Sequence, residues 1–164
     1  METNEKYGVI PPNTALQERV GGPLKPLDDA TVGRLEQAMK SLEGEMGDWI
    51  KTDMERLITA HRSFLRDGNA GANIVELHRA AHDLRGLGST YGYPIVTVIA
   101  DNLCKAMEMT MDKGCVPEDL IKAHVDALRA VVNLDLRDPD RGPAAELVSG
   151  LRTLAAKKVQ QNDA

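Results

Sequence analysis

The sequence predicts an all-α fold, an antiparallel four-helix bundle with an additional helix at each end, on two observations. Apolar residues recur every three or four positions in segment after segment, the spacing that gathers them on one face of a helix. No segment alternates apolar and polar residues as a half-buried strand does. The composition agrees, because 42% of the residues are hydrophobic but only 3% aromatic. A core of Leu, Ile, Val, Ala and Met suits helix packing better than a β-sandwich.

Residues 1–27 contain Pro11, Pro12, Pro23 and Pro26 with Gly8, Gly21 and Gly22, a density of breakers that reads as a flexible N-terminal arm. Asp28 or Asp29 can cap a first helix carrying Val32, Leu35, Met39, Leu42 and Met46, with Gly44 and Gly47 at its expected end. Asp48 to about Arg66 places Ile50, Met54, Leu57, Ile58, His61, Phe64 and Leu65 on one stripe, closed by Asp67-Gly68-Asn69. Trp49 reads as an anchor at the start of that helix, and Met39, Met46, Met54 and Met107 read as core filler. A third helix is expected from about Ala72 to Tyr91.

Tyr93-Pro94 breaks the pattern, and a proline at the first helical position opens a segment with Ile95, Val98, Ile99, Leu103, Ala106 and Met107. Gly114 ends it and Pro117 opens the next, with Leu120, Ile121, His124, Leu128, Val131 and Val132 on the inner side. The short connection makes these two antiparallel neighbours. Residues 138–143 form a loop, and Leu147, Val148, Leu151 and Leu154 support a last helix over about 143–158. The expected organisation is thus an arm over 1–27, one helical domain over 28–158 with a bundle core over about 48–133, and a disordered tail over 159–164. A chain of 164 residues is the length of one such domain.

The formal charge of −5 argues against a general nucleic-acid binder, whose phosphate contacts need a basic surface. Cys104 and Cys115 are not in a CxxC arrangement, so neither a disulfide framework nor a zinc site is expected, and they read as small apolar residues. The first residues lack the order of a secretory signal, and no apolar run is long enough to span a bilayer. A cytoplasmic location without membrane association is expected.

His82 faces the wrong way for a core residue. Successive helical residues turn by about 100°, so Leu77, Ala80, Leu84, Leu87 and Tyr91 all fall within roughly 40° of the side opposite His82. The imidazole is therefore expected in solvent, with His78, Arg79, Arg85, Gly86 and Ser89 as neighbours on a cationic outer face. Glycines at 86, 88 and 92 each cost a helix up to about 1 kcal/mol and need a reason. A missing side chain at Gly86, one turn beyond His82, lets another surface approach the ring. Gly88 lies nearer the inner face, where it permits tight packing.

The run Ala81-His82-Asp83-Leu84-Arg85-Gly86-Leu87-Gly88-Ser89-Thr90-Tyr91-Gly92 resembles the active helix of histidine phosphotransfer (HPt) domains. In that family the histidine is followed by an apolar residue two positions on, Lys or Arg three on, Gly four on and a further Gly at ten. His82, Leu84, Arg85, Gly86 and Gly92 occupy those positions, with arginine in place of the commoner lysine. The resemblance covers about Asp48 to Asn133, though its specificity resides in this dozen residues.

The resemblance implies a phosphocarrier rather than an autonomous enzyme. His82 would accept a phosphoryl group from a receiver-domain aspartate and pass it to another, and Arg85 would offset phosphoryl charge. Gly86, Ser89, His78 and Arg79 would meet the partner, while Gly88 and Gly92 would serve the fold. The partners implied are receiver domains of hybrid histidine kinases and of response regulators, meeting a monomer. No cofactor is expected on this chain, since the receiver supplies Mg2+. Exposed histidines ordinarily titrate at about pH 6.5, so near neutrality such a ring is mostly unprotonated and nucleophilic.

Three other readings compete. His78-Arg79-Ala80-Ala81-His82 has the two-histidine spacing of a zinc hydrolase, but Arg79 stands where the general-base glutamate belongs and no third ligand is evident. A histidine kinase dimerisation domain would also show an acidic residue after its histidine, as Asp83 follows His82, yet no ATP-binding pattern follows Gly92. A helical adaptor without phosphotransfer is the plainest alternative.

Overall fold

The computed structural model describes Arg19 and residues 28–68, 71–111 and 116–161. The expected arm, apart from Arg19, lies outside the described residues, as do Cys115 and residues 162–164. The described residues form five helices of more than a dozen residues each and no strand: α1 Asp29–Asp67, α2 Gly71–Leu87, α3 Pro94–Met111, α4 Glu118–Asn133 and α5 Gly142–Gln161. None is long and apolar enough to cross a membrane.

The chain divides into two units, residues 1–38 and 39–164. In the first, Asp28 caps α1: the Thr31 backbone N–H donates to Asp28 Oδ1 at 2.6 Å. Hydrogen bonding by Thr31, through its side chain first and its backbone N–H second, holds the Asp28 carboxyl below its usual range.

The break expected at Gly44 and Gly47 is absent, so the first two expected helices are one. A glycine within a helix costs about 1 kcal/mol but stops it only by turning left-handed, and neither residue has a positive φ. Gly68 does, at +73°, and its N–H closes the helix on Phe64 O at 2.8 Å. The continuous helix leaves Met39 63% exposed, so it is not core filler, whereas Met54 and Met107 are buried. Trp49 therefore starts no helix; it lies half-exposed with its ring 6.1 Å from that of Tyr91.

The core of the second unit follows the apolar stripes. Ile50, Leu57 and Phe64 of α1, Leu77 and Leu84 of α2, Ile95, Ile99 and Leu103 of α3, and Leu120, Ile121 and Leu128 of α4 are all sealed from solvent. The most apolar helix, α3, packs against α2, α4 and α5, and α4 against α5. His124 is fully buried, one ring nitrogen 2.8 Å from Leu120 O and the other 2.7 Å from the Asn102 side chain. Lys158 of α5 reaches Asp119 of α4 at 2.6 Å. Because α5 runs to Gln161, residues 159–161 of the expected tail are helical.

α2 stops at Leu87, short of the Tyr91 expected from sequence. Gly92, at φ +81°, turns the chain where a helix cannot follow. Backbone bonds from Tyr91 N–H to Leu87 O and from Tyr93 N–H to Gly88 O close the turn. Tyr93 then anchors α3 beside the 134–141 loop: its hydroxyl donates to Asp135 at 2.7 Å and the Arg137 guanidinium lies 4.8 Å over its ring.

Candidate functional site

His82 is exposed near the middle of α2, on the side opposite the buried Leu77, Ala80, Ala81 and Leu84. No described residue hydrogen-bonds its ring. The nearest aromatic neighbour is His78, one turn earlier, with ring centroids 6.5 Å apart.

Gly86 lies one turn on from His82 and is also exposed, and a Cβ there would meet no atom within 4 Å. Gly88 differs. It is buried, and a Cβ would lie 2.8 Å from both the backbone nitrogen and Oγ1 of Thr97 on α3. The two glycines have separate effects: one leaves the outer face bare, the other brings α2 and α3 together at the turn.

The face is less cationic than its sequence suggests, because α3 contributes carboxylates. His78 Nε2 is 3.1 Å from Glu108 Oε1, and Arg85 Nη1 is 3.8 Å from Asp101 Oδ1, while Lys105 meets Asp101 Oδ2. Arg79 is turned toward Glu76 at 3.6 Å on its own helix. Asp83 meets Arg56 of α1 at 3.2 Å, and that guanidinium also reaches Glu76 and Asp53.

Ser89 was expected on the helix face but lies in the turn beyond it. Its backbone N–H and its hydroxyl both donate to Thr97 Oγ1, at 2.9 and 3.0 Å. The structure thus gathers His78, Arg79, His82, Arg85 and Gly86 on one strip of α2 and sets Ser89, Gly88 and Gly92 at its end.

Sequence reasoning missed Thr97, Asp101, Lys105 and Glu108. They form a polar stripe at steps of four, four and three along a mostly apolar helix, which was the available signal. His78–Glu108, Arg85–Asp101 and Ser89–Thr97 pair in strict antiparallel register: each advance along α2 is matched by an equal step back along α3. Among the described residues no three His, Cys, Asp or Glu side chains converge as metal ligands.

Comparison with models of protein families yields no match, and comparisons with curated proteins and with solved structures yield none either.

Proposed function

We propose that the chain is a histidine phosphotransfer protein of a multistep phosphorelay, acting as a cytoplasmic monomer that shuttles phosphoryl groups between receiver domains. In this reading the part of α1 from about residue 48, with α2, α3 and α4, makes the antiparallel four-helix bundle of the HPt family. The observation that carries it is an exposed His82 followed one turn later by a bare Gly86, within a run that resembles the HPt active helix.

The chemistry asks little of the protein beyond presentation. The lone pair of the neutral ring's Nε2 forms the P–N bond as the P–O bond to the receiver's aspartyl oxygen breaks, and that electron pair leaves on the carboxylate. The ring proton stays on Nδ1. The same steps in reverse deliver the group to the next aspartate. The receiver brings the Mg2+ that neutralises phosphoryl charge, so the carrier needs only an accessible nucleophile and nearby cations. Arg85 and the partly exposed His78 lie within one turn of His82, and Arg79 stands on the approach side.

The test is a phosphotransfer profile against the receiver domains of the source organism. A labelled receiver is expected to pass its phosphoryl group to the wild-type chain and not to His82→Gln, and ATP alone is expected to label neither. Label on His82→Gln at the wild-type level would remove His82 from the mechanism.

A further inference from the structure

Two basic side chains flanking His82 are both tethered from the same side. His78 and Arg85 lie seven residues apart on α2, and their partners Glu108 and Asp101 lie seven apart on α3. The pairs are therefore two rungs of one seam, two helical turns apart, with His82 between them. Asp101 is tethered in turn, at 2.7 Å from Lys105.

We propose that Asp101 and Glu108 are positioning residues that draw Arg85 and His78 toward α3 and so set how tightly a phosphoryl group is held on His82, an inference that rests on the phosphotransfer reading above. A phosphoryl group brings nearly two negative charges, and cations one turn away stabilise it. Each carboxylate opposes this: Asp101 holds the Arg85 guanidinium toward α3 and cancels part of the field it casts on His82, while Glu108 holds the His78 ring and adds its own negative charge to the strip. A relay intermediate must release its cargo as readily as it takes it, and a fully unopposed Arg85 would favour retention. The side chains of Arg85 and Asp101 are about one-third exposed, at 31% and 35%, so the effect is screened.

The experiment measures how one phosphoryl group partitions at equilibrium between the full-length chain and a receiver domain identified by the transfer profile. Phosphoramidate, which can give its phosphoryl group to a histidine with departure of ammonia, loads the chain without any receiver. Asp101→Asn and Glu108→Gln are each expected to shift the partition toward His82 by about two- to fivefold at low salt, with Tm unchanged. Asp101→Glu is expected to restore the wild-type ratio.

On an Arg85→Gln background the Asp101→Asn shift is expected to shrink, because the cation that it frees is gone. An unchanged partition in both carboxylate variants, or an undiminished shift on the Arg85→Gln background, would overturn the inference. A wild-type chain that takes phosphoryl from neither phosphoramidate nor any receiver would instead overturn the phosphotransfer reading.

Discussion

Thr97 accepts two hydrogen bonds from Ser89 through one oxygen, at 2.9 Å from the backbone N–H and 3.0 Å from the hydroxyl. The contact needs the start of α3 to lie directly against the chain at Gly88, where a Cβ would come within 2.8 Å of Thr97. The turn that follows α2 is thus fixed by a side chain eight residues ahead.

Gly88→Ala should therefore destabilise the fold by about 1–3 kcal/mol, the usual cost of forcing a group into packed space. Gly86→Ala should do the reverse, adding up to about 1 kcal/mol from helix propensity. Denaturant titration of the two variants checks this, and equal effects would mean that the two glycines are not in different environments.

Gly86→Trp should leave helical content intact by circular dichroism yet slow transfer from a receiver, because its side chain would stand in the open space beside His82. Wild-type transfer rates would show that close approach at this position is irrelevant.

Arg85→Ala should cost little stability, about 0.2–1 kcal/mol for a partly exposed ion pair. Its effect on transfer should be larger, about tenfold or more, because the guanidinium is the permanent cation one turn from His82. Single-turnover rates beside thermal melts separate the two.

Burial pushes the pKa of both His61 and His124 below the ordinary histidine value. The folded state then favours neutral rings, while the unfolded chain takes up protons below about pH 6.5. Stability should be full above that pH and decline as the pH falls from there through the folded values. His61 Nε2 is buried without a hydrogen-bond partner, so His61→Leu should stabilise by about 1 kcal/mol at neutral pH and by more at pH 5.5. Melting curves whose pH dependence runs parallel to wild type would count against this.

Burial also pushes the Cys104 thiol up to about 11. In a Cys115→Ser background, iodoacetamide at pH 8 should leave the folded chain unmodified and label it in denaturant. Rapid labelling of the folded chain would show that the seam beneath His82 opens.

Within single helices the sequence was legible. The 100° step per residue that turns His82 outward also turns Leu77, Ala80 and Leu84 inward, and all three are buried. Leu87 does not follow, at 39% exposed, and Tyr91 packs partly buried against the core from the turn, because the helix ends before it. Glycine was the hardest residue to read. The same type continues α1 at 44 and 47, yet turns the chain at 92 where φ is positive, and only surroundings decide between the two. The carboxylates facing His78 and Arg85 were not legible, since pairing across two helices depends on register, which a periodicity within each helix does not specify.

The His82 imidazole is exposed and takes no hydrogen bond from any described residue, so none of these fixes the ring about its Cβ–Cγ bond. Presenting Nε2 would then fall to the surface that docks. If His82 exchanges phosphoryl groups as proposed, fidelity would reside in the contours of visitors rather than in the host.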